Sequence, residues 1–291
     1  MKNIGFIGLG AMGAAMARNL LQKGFSVTGY DIRPEAAEAL AKDGGKAAHS
    51  AAEAARDAEA LLLVVVNAQQ AENILFGDGA LDALPKGAIV ALMATCPPGQ
   101  VAELGARVEA AGRRFIDCPI SGGMAGAIAG TLSIMAAAPK ATFDAVLPAF
   151  DAMGKKIYHV GEGFGQGAMA KMINQLLCGV HIAVAAEALS LAAKAHLDQK
   201  TILEIVGGSA AASWMLNDRG PRMLESDPIV TAQVDIFVKD LSIVLDAGRE
   251  SKAALPLAAA AHQMYLAASG MGHGKKDDSQ VIRAYKALNP A

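Results

Sequence analysis

"NIGFIGLGAMGAAMARNLLQKG" occupies residues 3–24, and its reading decides the fold. It opens as a short apolar strand, reaches glycines at positions 8, 10 and 13, and continues from Ala11 at helical period to Gly24. A strand, a G-x-G-x-x-G turn and a helix in direct succession open a dinucleotide-binding βαβ unit. In such a turn Gly8 permits the tight bend, Gly10 lets backbone approach a pyrophosphate, and Gly13 lets the helix pack close to the strand. Ala11 and Met12 stand at the helix N-terminus, whose N–H groups and dipole favour an anion.

The next strand, "FSVTGYD" (25–31), ends in Asp31, eighteen residues past Gly13. A carboxylate there accepts hydrogen bonds from the adenosine ribose and repels a 2′-phosphate, although it also suits a cap for the helix opening near Pro34. Arg33 can accommodate that phosphate, so NAD is expected and NADP stays open. Working outward, "ALLLVVVN" (60–67) is a continuous apolar run, as a strand covered on both faces requires. Further strands are expected at 88–95, 113–120, 130–138 and 155–161, with helices between most of them. Beyond about residue 163 only helical patterns follow, over 165–196, 199–206, 210–225, 231–250, 255–270 and 277–288. The expected fold is α/β: an N-terminal Rossmann-type doubly wound sheet over 1–163, then an all-helical domain over 164–291 that begins with a long connecting helix.

Composition narrows the function. The 291 residues are 53% hydrophobic and carry a net charge of −2, with no basic run, which excludes nucleic acid or an anionic membrane as the main partner. Cys96, Cys118 and Cys178 show no zinc spacing and no disulfide pattern, and no metal site is expected. The N-terminus reaches glycine-rich sequence too soon for a signal peptide, and the longest apolar run, Leu176 to Ala186, is too short to span a bilayer. A soluble cytoplasmic protein is expected.

The stretch from Gln166 to Ala186 holds one fully charged residue, Lys171, in an otherwise apolar helix. A buried ammonium is expensive unless something pairs with it or uses it. Lys171, Asn174, Cys178 and His181 follow one another at spacings of three, four and three, and share a helix face. Cys178 and His181 read as packing residues. Hydride chemistry belongs to a nicotinamide cofactor, and the protein must supply orientation and a proton donor or acceptor. A desolvated lysine can be that group.

These residues resemble the β-hydroxyacid dehydrogenase family, which includes 3-hydroxyisobutyrate dehydrogenase and tartronate semialdehyde reductase. "GFIGLGAMGAAMARNL" is similar to its N-terminal signature, "DCPISGGMAGAIAGTLSIM" to its substrate-binding segment, "GFGQGAMAKMINQ" to its catalytic segment and "VDIFVKDL" to a cofactor-contacting segment. The resemblance implies Lys171 and Asn174 as catalytic residues. It implies substrate binding by Ser121, Gly122, Gly123, Lys171 and Asn174, the Ser-Gly-Gly turn receiving a carboxylate and Asn174 the carboxylate or a hydroxyl. It implies cofactor contacts from Thr95 and from Lys239, which without the "FVKDL" match would read as an ordinary solvated lysine on a helix. Finer resemblance in "SWMLNDR" and "VDIFVKDLSIV" points to the L-threonate dehydrogenase branch. The expectation is an NAD-dependent oxidation of a small hydroxy acid, L-threonate or a similar polyhydroxy acid, by a homodimer or homotetramer. The alternatives are a 3-hydroxyisobutyrate dehydrogenase, a semialdehyde reductase, or an NAD-binding sensor without turnover. Trp214, the single tryptophan, reads as core or cleft wall.

Overall fold

The computed structural model describes residues 1–290. The chain forms two compact units, Met1–Lys171 and Met172–Ala291. The first is built on a sheet of nine strands among the described residues: β1 (Asn3–Ile7), β2 (Ser26–Tyr30), β3 (Lys46–Ala47), β4 (Ala60–Leu63), β5 (Ile89–Leu92), β6 (Arg114–Asp117), β7 (Ile120–Ser121), β8 (Leu132–Ala137) and β9 (Gly154–Gly161). Their order is β3-β2-β1-β4-β5-β6-β8-β7, with β9 also on β8. The strands from β3 to β6 are parallel, and β8 runs antiparallel to β6 and β7. Strand order reverses between β1 and β4, which opens a crevice at the carboxyl ends of the strands.

The apolar run at residue 60 explains itself in the core. Ala60 and Leu62 enter one buried cluster with Phe6, Met16 and Leu20, while Leu61 and Leu63 enter another with Ile7, Leu75 and Val101. Both faces of β4 are covered, so alternation of polar residues would leave polar groups in the core. The strand is shorter than the run, however. It stops at Leu63, and Asn67 turns back to cap the next helix (Ala68–Glu72), its Oδ1 accepting the Gln70 N–H at 2.9 Å. A side-chain cap thus outcompetes continued strand pairing.

The second unit is helical: Gln199–Gly207, Trp214–Met223, Val234–Glu250, Pro256–Ala268 and Ile282–Leu288, preceded by most of the long helix Gln166–Lys194. Ser213 accepts the Leu216 N–H at 3.0 Å and so starts its helix four residues later than the periodicity predicts. Phe237 stacks on the fully buried Tyr265 with ring centroids 5.1 Å apart. Trp214 is 64% exposed, so of its two readings, core or cleft wall, the core reading is incorrect; it stands at the first position of its helix.

The long helix also departs from its sequence reading. Counting only unbroken apolar residues made it too short for a bilayer, yet over 29 residues, with a mean hydropathy of 1.9 across its most apolar window, it is long and apolar enough to cross one. In the second unit it is instead packed by protein. The Tyr265 hydroxyl donates to the Gly179 carbonyl at 3.2 Å, and a side chain at Gly179 would crowd Leu241 at 3.0 Å.

Candidate active site

The glycine loop lies at the end of β1. Gly8 has φ +96°, and any side chain there would come within 2.2 Å of the Val64 carbonyl oxygen. A side chain at Gly13 would come within 1.9 Å of the Gly8 carbonyl oxygen, so the helix (Ala11–Gln22) can lie this close only with glycine. At Gly10 a side chain would meet nothing within 4 Å. That open space adjoins a helix start with no side-chain cap and no acidic residue in its first turn. Uncapped N–H groups beside unfilled space fit a dinucleotide pyrophosphate.

Asp31 follows β2 and is bonded into this loop. Its Oδ2 accepts the Leu9 N–H at 2.7 Å, and its Oδ1 accepts both the Arg33 N–H at 3.0 Å and Arg33 Nε at 3.1 Å. Burial opposes its charge, but the Arg33 side chain and these N–H groups outweigh burial and hold the carboxyl below its ordinary range. A ribose hydroxyl therefore meets an ionised acceptor whose orientation is already set.

Thr95 lies just beyond β5, at the carboxyl edge of the parallel strands. Ser121 ends β7, and Gly122 and Gly123 follow with φ +128° and +60°. Both lie in the left-handed region, which L side chains rarely adopt. Lys171 is only 6% exposed and lies early in the long helix, with the half-buried Asn174 one turn on. Lys171 belongs to the first unit and Asn174 to the second, the boundary falling within their shared helix. Lys239 lies in the helical unit, its Nζ 2.6 Å from Asp240 Oδ1.

Three further residues make contacts beside these within their own units and were passed over by sequence reasoning. Asp117 is buried at the end of β6; its Oδ2 accepts the N–H of Gly165 at 3.1 Å and of Ala168 at 2.8 Å, at the start of the long helix. Desolvation pushes its pKa up to about 7, against the lowering by those N–H groups. Asp240 Oδ2 accepts Gln175 Nε2 at 2.6 Å, so Lys239 is tethered through Asp240 to the residue beside Asn174. Each stands inside a motif quoted above, which was the available signal: Asp117 in "DCPISGG", Asp240 in "FVKDL" and Gln175 in "KMINQ". Cys178 is buried, with its Sγ 3.7 Å from Asn174 Oδ1, and His181 is half-buried.

A glycine loop at the reversal point of a parallel sheet, an ionised aspartate after β2, and a buried lysine in the same unit define a nicotinamide-dependent dehydrogenase of the Rossmann class. Residues 3–161 match the family model for the NAD binding domain of 6-phosphogluconate dehydrogenase, and residues 165–285 match that for the NAD-binding region of NADP-dependent 3-hydroxyisobutyrate dehydrogenase. An L-threonate dehydrogenase of Cupriavidus necator is 44% identical over 288 residues, covering 99% of this chain and 97% of the relative. Among solved structures, a 3-hydroxyisobutyrate dehydrogenase from Salmonella typhimurium matches with a TM-score of 0.91 at 37% identity, covering 97% of this chain and 99% of that one. One from Mycobacterium tuberculosis with L-serine matches at 0.86 and 28%, covering 97% and 98%. The chain belongs to the 3-hydroxyisobutyrate dehydrogenase-related β-hydroxyacid dehydrogenase family, in its L-threonate dehydrogenase branch, and is an NAD(P)-dependent hydroxyacid dehydrogenase.

Proposed function

We propose that this enzyme oxidises L-threonate at C2 to the 2-oxo acid, with NAD in preference to NADP. The choice of acid is supported by the L-threonate dehydrogenases among its relatives. The observation that carries the chemistry is the near-complete burial of Lys171, 6% exposed near the start of the long helix. Lys171 takes the proton of the C2 hydroxyl as the C2–H bond breaks, and Asn174 holds that hydroxyl by hydrogen bonding. The Ser121 hydroxyl and the N–H groups of Gly122 and Gly123 receive the substrate carboxylate. When bound, the nicotinamide accepts the hydride. Gly8, Gly10, Ala11, Met12 and Gly13 hold the pyrophosphate, Asp31 takes the ribose, Arg33 orients Asp31, and Thr95 and Lys239 contact the nicotinamide portion.

We assign residues 1–163 to dinucleotide binding and residues 164–291 to substrate binding and self-association in a cytoplasmic homodimer or homotetramer. Support for self-association comes from Ile173, Leu177, Val184 and Leu191, which lie 59%, 48%, 52% and 67% exposed at helical spacing along the long helix. Light scattering at micromolar concentration should give a multiple of 29.7 kDa, and a monomer would refute it.

The substrate is tested by initial rates of NADH formation at mildly alkaline pH. L-threonate should be turned over with kcat/KM at least ~10-fold above 3-hydroxyisobutyrate, because an analogue lacking a hydroxyl leaves a buried partner unpaired at ~1–3 kcal/mol. A preference for 3-hydroxyisobutyrate would keep the family and overturn the substrate.

A further inference from the structure

We propose that Asp117 is a positioning residue of the active site, holding the helix that carries Lys171 at a fixed distance from the strand that leads into the Ser121–Gly123 turn. The proposal rests on the reading of Lys171 as the proton acceptor and of that turn as the carboxylate site.

The geometry is specific. A helix N-terminus is normally capped by the side chain of its own first residue, which accepts the N–H two or three positions on. Here that position is Gly165, which has φ +90° and no side chain, and where one would come within 2.7 Å of the Pro98 carbonyl oxygen. Asp117, forty-eight residues earlier in the chain, supplies the missing acceptor from the end of β6. Its Oδ2 receives the Gly165 and Ala168 N–H groups together. Gly167 completes the seat, since a side chain there would come within 2.6 Å of the carbonyl oxygens of both Asp117 and Met135. The first turn of the helix is thus clamped against β6 and β8. Ala168 and Lys171 are three residues apart, one turn, so a shift in the clamped turn is passed directly to the lysine. In the other direction, only Cys118, Pro119 and Ile120 separate Asp117 from Ser121.

The carboxylate has a cost that a purely structural cap would avoid. It is 1% exposed, and its Oδ1 has no hydrogen-bond partner among the described residues. The partial positive charge of a long helix offsets that burial. Its two bonded ends are the catalytic helix and the strand before the substrate turn.

The test compares Asp117→Leu, which keeps volume and removes the acceptor, with Asp117→Asn, whose amide oxygen still accepts both N–H groups. Asp117→Leu should lower kcat by ten- to a hundredfold, the scale of an ångström-level misplacement, with NADH affinity unchanged within about twofold by fluorescence titration. Its amide hydrogen exchange should speed up over residues 165–171. Asp117→Asn should restore kcat to within about threefold of wild type. If Asp117→Leu does not fold, Asp117→Ser, too short to reach both N–H groups, is read by the same criteria. Wild-type kcat in the folded variant, or an Asp117→Asn enzyme as slow as Asp117→Leu, would overturn the proposal. Lys171→Ala separates the two readings: if it is inactive while Asp117→Leu is fully active, the positioning role alone fails, and if it is fully active the assignment of Lys171 fails first.

Discussion

Each unit buries an aspartate, and the two are held in opposite ways. In the α/β unit, Asp117 is satisfied only by backbone N–H groups at a helix start. In the helical unit, Asp278 is fully buried and clasped by Arg219, with Nε–Oδ1 at 2.7 Å and Nη2–Oδ2 at 3.0 Å. Burial raises both carboxyls, Asp117 to about 7 and Asp278 to about 6, the Arg219 fork limiting the second. The neighbouring Asp277 is buried as well, yet the Thr231 N–H, Ser279 and Arg222 bring it below its ordinary range. The lesson is that an arginine fork builds a structural joint, Arg219 and Arg222 fastening the chain end to the Trp214–Met223 helix. A backbone-only acceptor leaves a carboxyl that can change protonation near neutral pH, and it sits one turn from the proposed catalytic lysine.

Four experiments break or sharpen that contrast. The largest effect is expected at the chemical end: Lys171→Ala should fold and bind NADH but lose ~10²–10⁴ in kcat, the range for a lost proton-transfer group. Turnover within about threefold of wild type, under ~1 kcal/mol of barrier, would remove the lysine from the mechanism. Next comes the structural joint. Arg219→Met strands the Asp278 charge and should lower unfolding stability by ~3–5 kcal/mol in urea titration, with kcat of the folded fraction retained. A midpoint shift of a few tenths of a molar or less would show that Asp278 does not depend on its partner.

A third, smaller effect concerns an aspartate held both ways. Asp31 uses the Leu9 N–H and the Arg33 fork together. Asp31→Ala should weaken NAD by ~1–3 kcal/mol through lost charge-assisted hydrogen bonds, while NADP holds or improves as Arg33 is released. A wild type already preferring NADP would show that Arg33 dominates.

The smallest effect is a slope. Asp117 and Asp278 have folded pKa values above the unfolded one, so between about 4 and their folded values the native state binds more protons than the unfolded chain. Their stabilisation is fully present at acid pH and lost as pH rises, by at most ~1.4 kcal/mol per pH unit per group. Between about 6 and about 7 the loss belongs increasingly to Asp117, as Asp278 completes its ionisation. The adjacent Cys118 thiol stays protonated throughout, raised by burial and then by the Asp117 charge. Asp117→Asn should flatten the urea-midpoint profile in that window, and an unchanged slope would assign the titration elsewhere. Below pH 4 the paired Asp31 and Asp277 act with the opposite sign, losing stability as they protonate.

Much of the fold was legible in residue order. The βαβ alternation, the glycine loop, the helix opening at Pro34 and the helical succession after β9 all follow from local periodicity and turn chemistry. Misreadings came where one local signal competed with another. The apolar run at 60–67 concealed the Asn67 cap, and the helical period before Trp214 ran through the Ser213 cap. The core half of the Trp214 reading rested on residue type alone, and residue type does not say which face of a helix meets a neighbour.

What the sequence determined by itself was the place where backbone must be unobstructed. Gly8, Gly10 and Gly13 act through sterics within a few residues and one adjacent strand, and glycine is the one residue whose identity announces a conformation. The lysine, too, announced itself, because an ammonium in an apolar helix is anomalous at the level of composition. Only the tertiary structure decided what holds that lysine in place. Asp117 finds its partners forty-eight and fifty-one residues away, and those partners are backbone N–H groups. Every residue except proline carries one, so no letter in the sequence marks which of them a buried carboxylate will reach.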